Sequence, residues 1–349
     1  MPLADVIPKV HLHCHLEGTL RAETFVELAA KHGVPLRYRP NVGEGGAFQG
    51  EPVHGADPKD PYLFKDFGEF LLAFAAASRS LAEPGDYARL GREFVETALA
   101  QNVLYGELFI SPSVWTFFHK KLDVRACVEA IAAELRAARP QATFKLIVDL
   151  TRNFGTERAM QIAVLATELV DLDVIGVGLG GDEARFPPEL YEAPFAYARA
   201  HGLHCVAHAG EAAGADSVRV ALDLLRAQRI GHGIAALYEP RLVQRLADER
   251  IPLEICPTSN VLTGAALPDR DAFAEFDAAG CVVTIDADDP AMFRTSIAAE
   301  YALVESIAGT DALERFVRNA IDASFAEPQA KATMHAAVTQ RIEKRHVRP

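Results

Sequence analysis

Val10-His11-Leu12-His13-Cys14-His15 is the stretch that decides the fold of this chain. Side chains alternate between the two faces of a β-strand, so His13 and His15 point the same way at the end of an apolar run. Two imidazoles placed in this way can hold one metal ion. In a closed parallel barrel they would face inward at the rim where such barrels carry out their chemistry. The motif therefore predicts both a metal site and the architecture that presents it.

Short apolar or β-branched runs alternate with longer helix-like segments along the whole chain. The eight predicted strands cover residues 10–15, 103–110, 143–150, 174–180, 204–210, 229–233, 252–257 and 281–286. The intervening segments are rich in alanine and carry apolar residues at helical spacing, as in 87–99, 126–138 and 159–170. Eight strand–helix repeats in 349 residues predict an α/β protein with a (β/α)8 TIM barrel. A doubly wound open sheet is the alternative.

Composition limits the class of protein. Half of the 349 residues are hydrophobic, enough for a large core, and we expect residues 1–349 to form a single barrel domain. A net charge of −13 argues against a partner that is bound through its phosphate backbone, so no nucleic acid is expected. The five cysteines stand singly, which is typical of reduced thiols. With no signal-like or membrane-length apolar run, we expect a cytoplasmic protein.

One segment breaks the alternation. Residues 37–61 are rich in glycine and proline and lack periodicity, which predicts a long loop after the first strand and helix. Five apolar residues follow at helical spacing, namely Phe64, Phe67, Phe70, Leu71 and Phe74. They predict a helix that packs on the barrel, and contact with a substrate is the second interpretation. Residues 37–75 are predicted to be a lid insertion, and a disordered loop is the alternative for residues 37–61.

Polar side chains that can bind a metal or transfer a proton follow the ends of four predicted strands. They are His13, His15, His208, Glu211, His232, Asp288 and Asp289. Taken singly, each has a structural explanation; Asp288-Asp289-Pro290, for example, can begin a helix. The ends of parallel barrel strands all meet at one opening, so together these residues predict a metal site there.

The donor types indicate the chemistry. Three imidazoles and a carboxylate suit zinc, while iron, manganese and cobalt remain open by ligand type. A zinc ion with an open position lowers the pKa of bound water towards about 7, which predicts metal-assisted hydrolysis. Glu211 and His232 would then supply the proton-transfer groups that this attack needs.

These residues stand in motifs that resemble the adenosine deaminases of the metal-dependent amidohydrolase superfamily. The motifs, in chain order, are Pro8-Lys9-Val10-His11-Leu12-His13-Cys14-His15-Leu16-Glu17-Gly18, Gly181-Asp182-Glu183, His208-Ala209-Gly210-Glu211, Arg229-Ile230-Gly231-His232-Gly233, Cys256-Pro257-Thr258-Ser259-Asn260 and Asp288-Asp289-Pro290. The signature of cytidine-type deaminases, a His-x-Glu with a Pro-Cys-x-x-Cys, is absent from the sequence.

The resemblance implies a (β/α)8 barrel with one zinc ion per chain, held by His13, His15, His208 and Asp288. It implies that Glu211 protonates N1 of a 6-aminopurine and that His232 orients the attacking hydroxide and takes its proton. Asp289 would share a proton with N7, and the backbone N–H of Gly181 would meet N3. The expected products are the 6-oxopurine and ammonia.

Two positions depart from the family pattern. Adenosine-specific members usually carry aspartate where this chain has Glu17, and that residue contacts the ribose 5′-hydroxyl together with a nearby histidine, here His15. Glutamate is similar to what adenine deaminases and some deaminases of modified adenosines show. Asp286 stands where the family often has asparagine or serine. We expect Asp286 to satisfy a hydrogen bond inside the barrel, and a like-charge effect on neighbouring pKa values is the alternative.

The predicted function is zinc-dependent deamination of a small purine, with adenosine or a related nucleoside preferred. Adenine itself, or a modified adenosine, is the first alternative. Hydrolysis of a cyclic amide is a more distant one, because Glu211 and Asp289 have no evident role on an amide. A binding protein that has lost catalysis is the non-enzymatic alternative, although every catalytic position is occupied. The sequence gives no indication of the oligomeric state.

Overall fold

A computed structural model of the chain describes residues 2–40, 50–266 and 270–347. Within these residues the strands are β1 (Lys9–His15), β2 (Tyr38–Pro40), β3 (Gly50–Pro52), β4 (Val103–Ile110), β5 (Thr143–Asp149), β6 (Val174–Gly178), β7 (His204–Ala209), β8 (Arg229–His232), β9 (Pro252–Ile255) and β10 (Val282–Ile285). The helices are α1 (Leu3–Val6), α2 (Ala22–His32), α3 (Phe67–Ser80), α4 (Pro84–Ala100), α5 (Pro112–Phe118), α6 (Val124–Ala137), α7 (Gly155–Glu168), α8 (Glu192–Ala200), α9 (Ala215–Asp223), α10 (Pro240–Asp248), α11 (Pro257–Leu262), α12 (Ala272–Ala278), α13 (Ile297–Ala308), α14 (Thr310–Ala323) and α15 (Pro328–Val347).

Eight of these strands form one parallel sheet in the order β1-β4-β5-β6-β7-β8-β9-β10. The sheet closes between β10 and β1 through backbone and side-chain contacts together. The His15 N–H donates to Asp288 O (2.9 Å) and the Asp288 N–H to His13 O (3.0 Å), while Asp286 Oδ1 accepts hydrogen bonds from the backbone N–H groups of Leu12 (2.6 Å) and His13 (3.0 Å). A single parallel bridge between Cys14 and Asp288 completes the contact. The chain is therefore a (β/α)8 barrel, which confirms the predicted fold class.

Each of the eight predicted runs coincides with a barrel strand to within two residues at either end. The agreement has a physical reason, because parallel strands are covered on both faces and read as continuous apolar runs. Every residue of β1 is buried, including its three histidines. The helices surround the sheet, and several begin at a side-chain cap. Asp66, for instance, accepts a hydrogen bond from the Glu69 N–H at the start of α3 (2.9 Å).

The segment predicted as an irregular loop over 37–61 contains regular structure. Strands β2 and β3 pair antiparallel within it, with Arg39 opposite Glu51, and these two side chains form an ion pair. The prediction is wrong here because three-residue strands are too short to show a periodic pattern. Residues 41–49 of the predicted loop lie outside the described residues. Helix α3 follows the hairpin, and α3 contacts β2.

The five cysteines are all buried and free, as their single spacing predicts. Among the described residues, no helix is both long enough and apolar enough to cross a membrane.

Candidate metal and catalytic site

Four potential ligands converge at the carboxyl-terminal ends of β1, β7 and β10. His15 Nε2 lies 3.0 Å from His208 Nε2. Asp288 Oδ1 lies 3.4 Å from His13 Nε2 and 3.5 Å from His15 Nε2. All four side chains are buried. The structure thus brings together the residues that the sequence predicts as metal ligands.

Three separations between these atoms are close to what a shared zinc ion requires. Two ligand atoms bonded at about 2.0–2.1 Å to one zinc ion are roughly 3 Å apart, and the three separations given above are 3.0, 3.4 and 3.5 Å. His13 Nε2 has no hydrogen-bond partner among the described residues. Burial lowers the pKa of His15 to about 3 and holds the pKa of His208 well below 6.5, so both imidazoles are neutral and can offer a lone pair.

A series of buried, hydrogen-bonded charged side chains holds the His13 ring through its Nδ1 atom. His13 Nδ1 lies 2.8 Å from Glu254 Oε2, and Glu254 Oε1 accepts a hydrogen bond from Arg229 Nε (2.5 Å). Arg229 Nη2 also donates to Glu107 Oε2 across the barrel (2.6 Å). With the Nδ1 hydrogen directed at Glu254, the His13 Nε2 lone pair faces the candidate metal position.

His232 lies close to the potential ligands, but its two ring nitrogens contact other residues. Its ring nitrogen belongs to the same cluster as atoms of His13, His208 and Asp288, all within 4.8 Å of one another. His232 Nδ1, however, contacts the Asn260 side-chain amide at 2.8 Å, and Nε2 lies 3.6 Å from Glu211 Oε2. The free nitrogen therefore faces an acid, which suits proton transfer better than ligation.

The Asn260 amide decides which ring nitrogen of His232 carries hydrogen. As placed, Asn260 Nδ2 donates to Nδ1, and Asn260 Oδ1 is buried with no partner among the described residues. Exchanging the amide nitrogen and oxygen, which are nearly isosteric, satisfies this oxygen with an Nδ1–H donor. In that orientation the Nε2 lone pair is free to accept a proton.

Glu211 is held in position by a neighbouring carboxylate. Glu183 accepts hydrogen bonds from the backbone N–H groups of Gly210 (2.6 Å) and Glu211 (3.0 Å), from the next two residues, and from the Ser217 hydroxyl. This fixes the turn that directs the Glu211 side chain into the cavity. Burial and the charge of Asp288 raise the pKa of Glu211 well above 4.5, which favours the protonated acid.

The Asp289 side chain occupies the space that a side chain at Gly18 would otherwise fill. A Cβ atom added to Gly18 would lie only 1.9 Å from Asp289 Oδ1, so only glycine leaves room for this carboxylate. Asp289 Oδ1 has no hydrogen-bond partner among the described residues. Asp288, by contrast, is anchored by the Ser259 hydroxyl, which donates to its Oδ2 (2.6 Å). The two adjacent aspartates therefore have different surroundings.

The backbone is strained at two of these positions. His232 has a φ of 62° and Asp288 a φ of 60°, in the left-handed region that non-glycine residues rarely adopt. Each such residue costs on the order of 1–3 kcal/mol and persists only where its surroundings enforce it. Both side chains lie at the site, and both residues also pair with a neighbouring strand of the barrel.

The cavity above these groups has one apolar and one polar wall. The apolar wall is the face of α3 that carries Phe67, Phe70, Leu71 and Phe74. The polar wall consists of Ser111, Asp149 and Thr151, at the ends of β4 and β5, and Gly181 lies next to it. Phe67, Phe70 and Phe74 are thus helix residues packed on the barrel, as predicted, and they also line the cavity. Phe64 precedes the helix, so the prediction is wrong for this residue.

Glu17 lies outside the lining of the cavity. Its Oε1 accepts hydrogen bonds from the Ser111 N–H (2.8 Å) and from Trp115 Nε1 (2.6 Å), so it holds the turn that presents Ser111. Its Oε2 is buried and has no partner among the described residues. Burial raises the pKa of Glu17 to about 7. The contact between Glu17 and substrate stays a prediction.

Three further residues have structural contacts. Asp286 bonds the β1 backbone, as described above, and accepts from the Thr284 hydroxyl (2.8 Å), in agreement with its expected role in the barrel. His11 Nε2 accepts the Ala287 N–H at 3.1 Å. His204 Nδ1 contacts the Gln228 side chain (3.2 Å), and its ring stacks on Phe325 with 3.8 Å between centroids.

Sequence reasoning missed Glu254, Arg229, Glu107 and Asp149. Glu254 offered a signal, since it is a single acid inside the otherwise apolar strand β9. A charge in such a position requires a partner, because an unpaired buried charge is costly. The identity of that partner depends on which strands are neighbours, and the strand itself does not encode this.

The chain resembles known deaminases over most of its length. The family model described as adenosine deaminase matches residues 8–341. An adenine deaminase from Chelativorans sp. (strain BNC1) is 34% identical over 344 residues, which are 96% of this chain and 99% of that protein. An aminodeoxyfutalosine deaminase from Streptomyces avermitilis is 34% identical over 339 residues, covering 95% of this chain and 90% of that protein.

Solved structures show the same likeness. The adenine deaminase from Arthrobacter aurescens superposes with a TM-score of 0.84 at 28% identity, covering 97% of this chain and 99% of that one. An amidohydrolase from Burkholderia ambifaria with bound Zn has a TM-score of 0.83 at 27% identity, covering 98% and 92% of the two chains. An Arabidopsis protein named ADAL, in complex with IMP, has a TM-score of 0.82 at 27% identity and covers 99% of each chain.

Proposed function

This chain belongs to the adenosine deaminase family of metal-dependent hydrolytic deaminases, and we propose that it uses one zinc ion to deaminate a neutral 6-aminopurine. One observation carries the proposal. A single cavity at the carboxyl-terminal end of the barrel is lined by three potential ligands (His15, His208 and Asp288) and three proton-transfer candidates (Glu211, His232 and Asp289). The fourth potential ligand, His13, has a ring nitrogen within 4.8 Å of His208 and Asp288.

The ligand assignment rests on donor type and spacing. Three imidazoles and one carboxylate suit zinc by donor type, and the Burkholderia ambifaria structure contains bound Zn. A zinc ion with an open position lowers the pKa of a coordinated water molecule, which supplies a nucleophile at neutral pH. Glu254 keeps the His13 imidazole in the orientation and tautomer that ligation needs.

The proton-transfer groups have distinct tasks in this proposal. Glu211, kept protonated by burial, donates a proton to N1 of the purine and makes C6 electrophilic. His232 accepts the proton of the attacking water through Nε2. Asp289 shares a proton with N7, and the Gly181 N–H meets N3. The water oxygen bonds to C6, and the C6–N bond then breaks as the amino group takes the proton held by His232 and leaves as ammonia. The hydroxyl proton at C6 passes to Glu211 as the carbonyl forms, while N1 keeps its hydrogen.

The substrate assignment has two candidates. The form of Arg229-Ile230-Gly231-His232-Gly233 is similar to nucleoside deaminases and favours adenosine. Glutamate at position 17 is similar to what adenine deaminases show, and it favours adenine. The Chelativorans and Arthrobacter relatives are named adenine deaminase. The Streptomyces relative is named for a modified adenosine, which keeps an enlarged nucleoside open. All three share the 6-aminopurine ring that the cavity groups address.

Ammonia release tests the proposed function. We expect the purified protein to release ammonia from adenosine, adenine or an adenosine derivative enlarged at the 5′ position, with one of them strongly preferred. The measurement is kcat/KM for each compound in a coupled ammonia assay. Release of ammonia from none of them, by protein containing one zinc per chain, would exclude a 6-aminopurine as substrate. A cyclic amide in the same experiment tests the more distant alternative.

The Glu254→Gln variant tests how the metal is held. Glutamine keeps the shape but replaces an ionised acceptor, so we expect zinc affinity to fall about 10–100-fold, as for other groups that orient metal ligands. Zinc dissociation constants from chelator competition provide the measurement. Glu249→Gln is a matched control, because Glu249 pairs with Arg245 on the surface. Unchanged affinity in Glu254→Gln would show that this carboxylate does not orient His13.

A further inference from the structure

The polar wall of the cavity is built around one buried carboxylate that the proposed chemistry does not use. Asp149 ends β5, is 3% exposed and lines the cavity. Its Oδ1 accepts the Gly180 N–H at 2.6 Å, while its Oδ2 accepts the Thr151 hydroxyl at 2.7 Å and the Thr151 N–H at 3.2 Å. The Thr151 backbone has an unusual φ of 37°, which these contacts help to hold.

Two of the three polar groups of this wall, Asp149 and Thr151, present hydrogen-bond acceptors, while the Ser111 hydroxyl can both donate and accept. A carboxylate can accept about four hydrogen bonds, and Asp149 accepts three from the protein, which leaves a lone pair on Oδ1. The Thr151 hydroxyl gives its only hydrogen to Asp149, so it too can only accept from a ligand. The surface is therefore suited to a ligand that donates hydrogen bonds.

The position of this wall relates it to one edge of the purine. Asp149 bonds Gly180, and the next residue, Gly181, also lines the cavity. In the proposed function the Gly181 N–H meets N3, and N3 and N9 of a purine lie on the same edge, joined through C4. Asp149 thus lies beside N9 or the group attached to it. This step rests on the proposed function.

Charge restricts what that group can be. Among the described residues, no lysine or arginine side chain lines the cavity, whereas Asp149, Glu211, Asp288 and Asp289 do. Arg152, which follows Thr151, is fully buried and its guanidinium donates to the backbone oxygens of His208 and Phe186. The segments 41–49 and 267–269 contain no lysine or arginine. A phosphate at this wall would face a carboxylate and would find no cation among the described residues that line the cavity.

We propose that Asp149 is a specificity-determining residue that accepts a hydrogen bond from a neutral donor at purine N9. The donor is either the N9–H of a free base or a ribose hydroxyl of a nucleoside. In both cases a neutral N–H or O–H group donates a hydrogen bond to Asp149. Because the described residues that line the cavity offer no cation for a phosphate, a 5′-nucleotide is a poor substrate.

Paired substrates separate recognition from structure. Kinetics of wild-type and Asp149→Ala protein are measured on adenine against 9-methyladenine, which lacks the N9–H, and on adenosine against 2′,3′-dideoxyadenosine, which lacks both hydroxyls. We expect kcat/KM to fall about 10–100-fold for the donor-bearing member of one pair and to stay within a few-fold for its partner. The pair that responds identifies the source of the donor. AMP is expected to be at least about 100-fold worse than adenosine for the wild type.

Two variants serve as controls for folding. Asp149→Asn keeps an oxygen for the Gly180 N–H, so it preserves more of the turn and reports if the alanine variant misfolds. Asp123→Asn changes a surface helix cap with little effect on stability and should leave all ratios unchanged.

Equal losses on all four compounds, or efficient turnover of AMP, would overturn the role of Asp149 while leaving the deaminase assignment intact. No ammonia from any compound with the wild type would overturn both.

Discussion

Replacing His208 with alanine is expected to weaken zinc binding more than 100-fold and to abolish turnover. Changes to residues that merely orient ligands typically cost 10–100-fold in affinity, so removing a ligand should cost more. His208 Nε2 lies 3.0 Å from His15 Nε2, and the remaining groups cannot move inward to fill its place because the barrel rim is rigidly packed. Zinc per chain after dialysis and kcat measured at added zinc give the two readouts.

A matched control lies on the same strand. His204 is four residues before His208 on β7, but it contacts Gln228 and Phe325 away from the site. His204→Ala should therefore keep one zinc per chain and near-normal kcat. Stoichiometric zinc with full activity in His208→Ala would remove His208 from the ligand set. Circular dichroism of both variants separates metal loss from unfolding.

Glu211→Gln is expected to lower kcat by about 10²–10⁴-fold while leaving zinc content unchanged, because general acid catalysis contributes on that scale. Glutamine keeps the backbone N–H that bonds Glu183, so the turn should survive. What it loses is the proton that the acid, kept neutral by burial and by Asp288, can transfer to N1. The measurement is kcat from ammonia release, with zinc determined on the same sample.

The control for this variant is Glu189→Gln, which makes the same change on an exposed residue. It should have wild-type kcat. If Glu211→Gln kept wild-type turnover, the acid would have to be another group, and Asp289 would be the first to test. If it lost zinc together with activity, Glu211 would have to be reassigned as part of the metal site.

The barrel could be predicted from the sequence because the patterns that mark its strands and helices each lie within a short stretch of chain. Burial on both faces gives each strand a continuous apolar run, as in β1, and amphipathic spacing marks helices such as α4. Strand parity and the common rim of parallel strands then placed the ligands on one opening. The β2–β3 hairpin was not predicted because its strands, three residues each, are too short to show a periodic hydrophobic pattern and are recognised only by their pairing.

Glu17 shows where parity ceases to apply. An extended chain would point Glu17 the same way as His13 and His15, towards the cavity. A 3₁₀ turn over Glu17–Thr19 ends the extension and directs the carboxylate to Ser111 and Trp115 instead. Because of this turn, Glu17 does not line the cavity, although the strand pattern predicts that it faces the substrate.

The sequence alone determined the barrel, the family and the candidate ligands, because each follows from patterns within a few residues or from motifs in chain order. Only the tertiary structure decided what surrounds them. Glu254 orients His13, Glu183 holds Glu211, and Asp149 forms the wall beside Gly181. These contacts join separate strands, and only the closed sheet, with its fixed strand order and register, brings such distant residues within hydrogen-bonding distance.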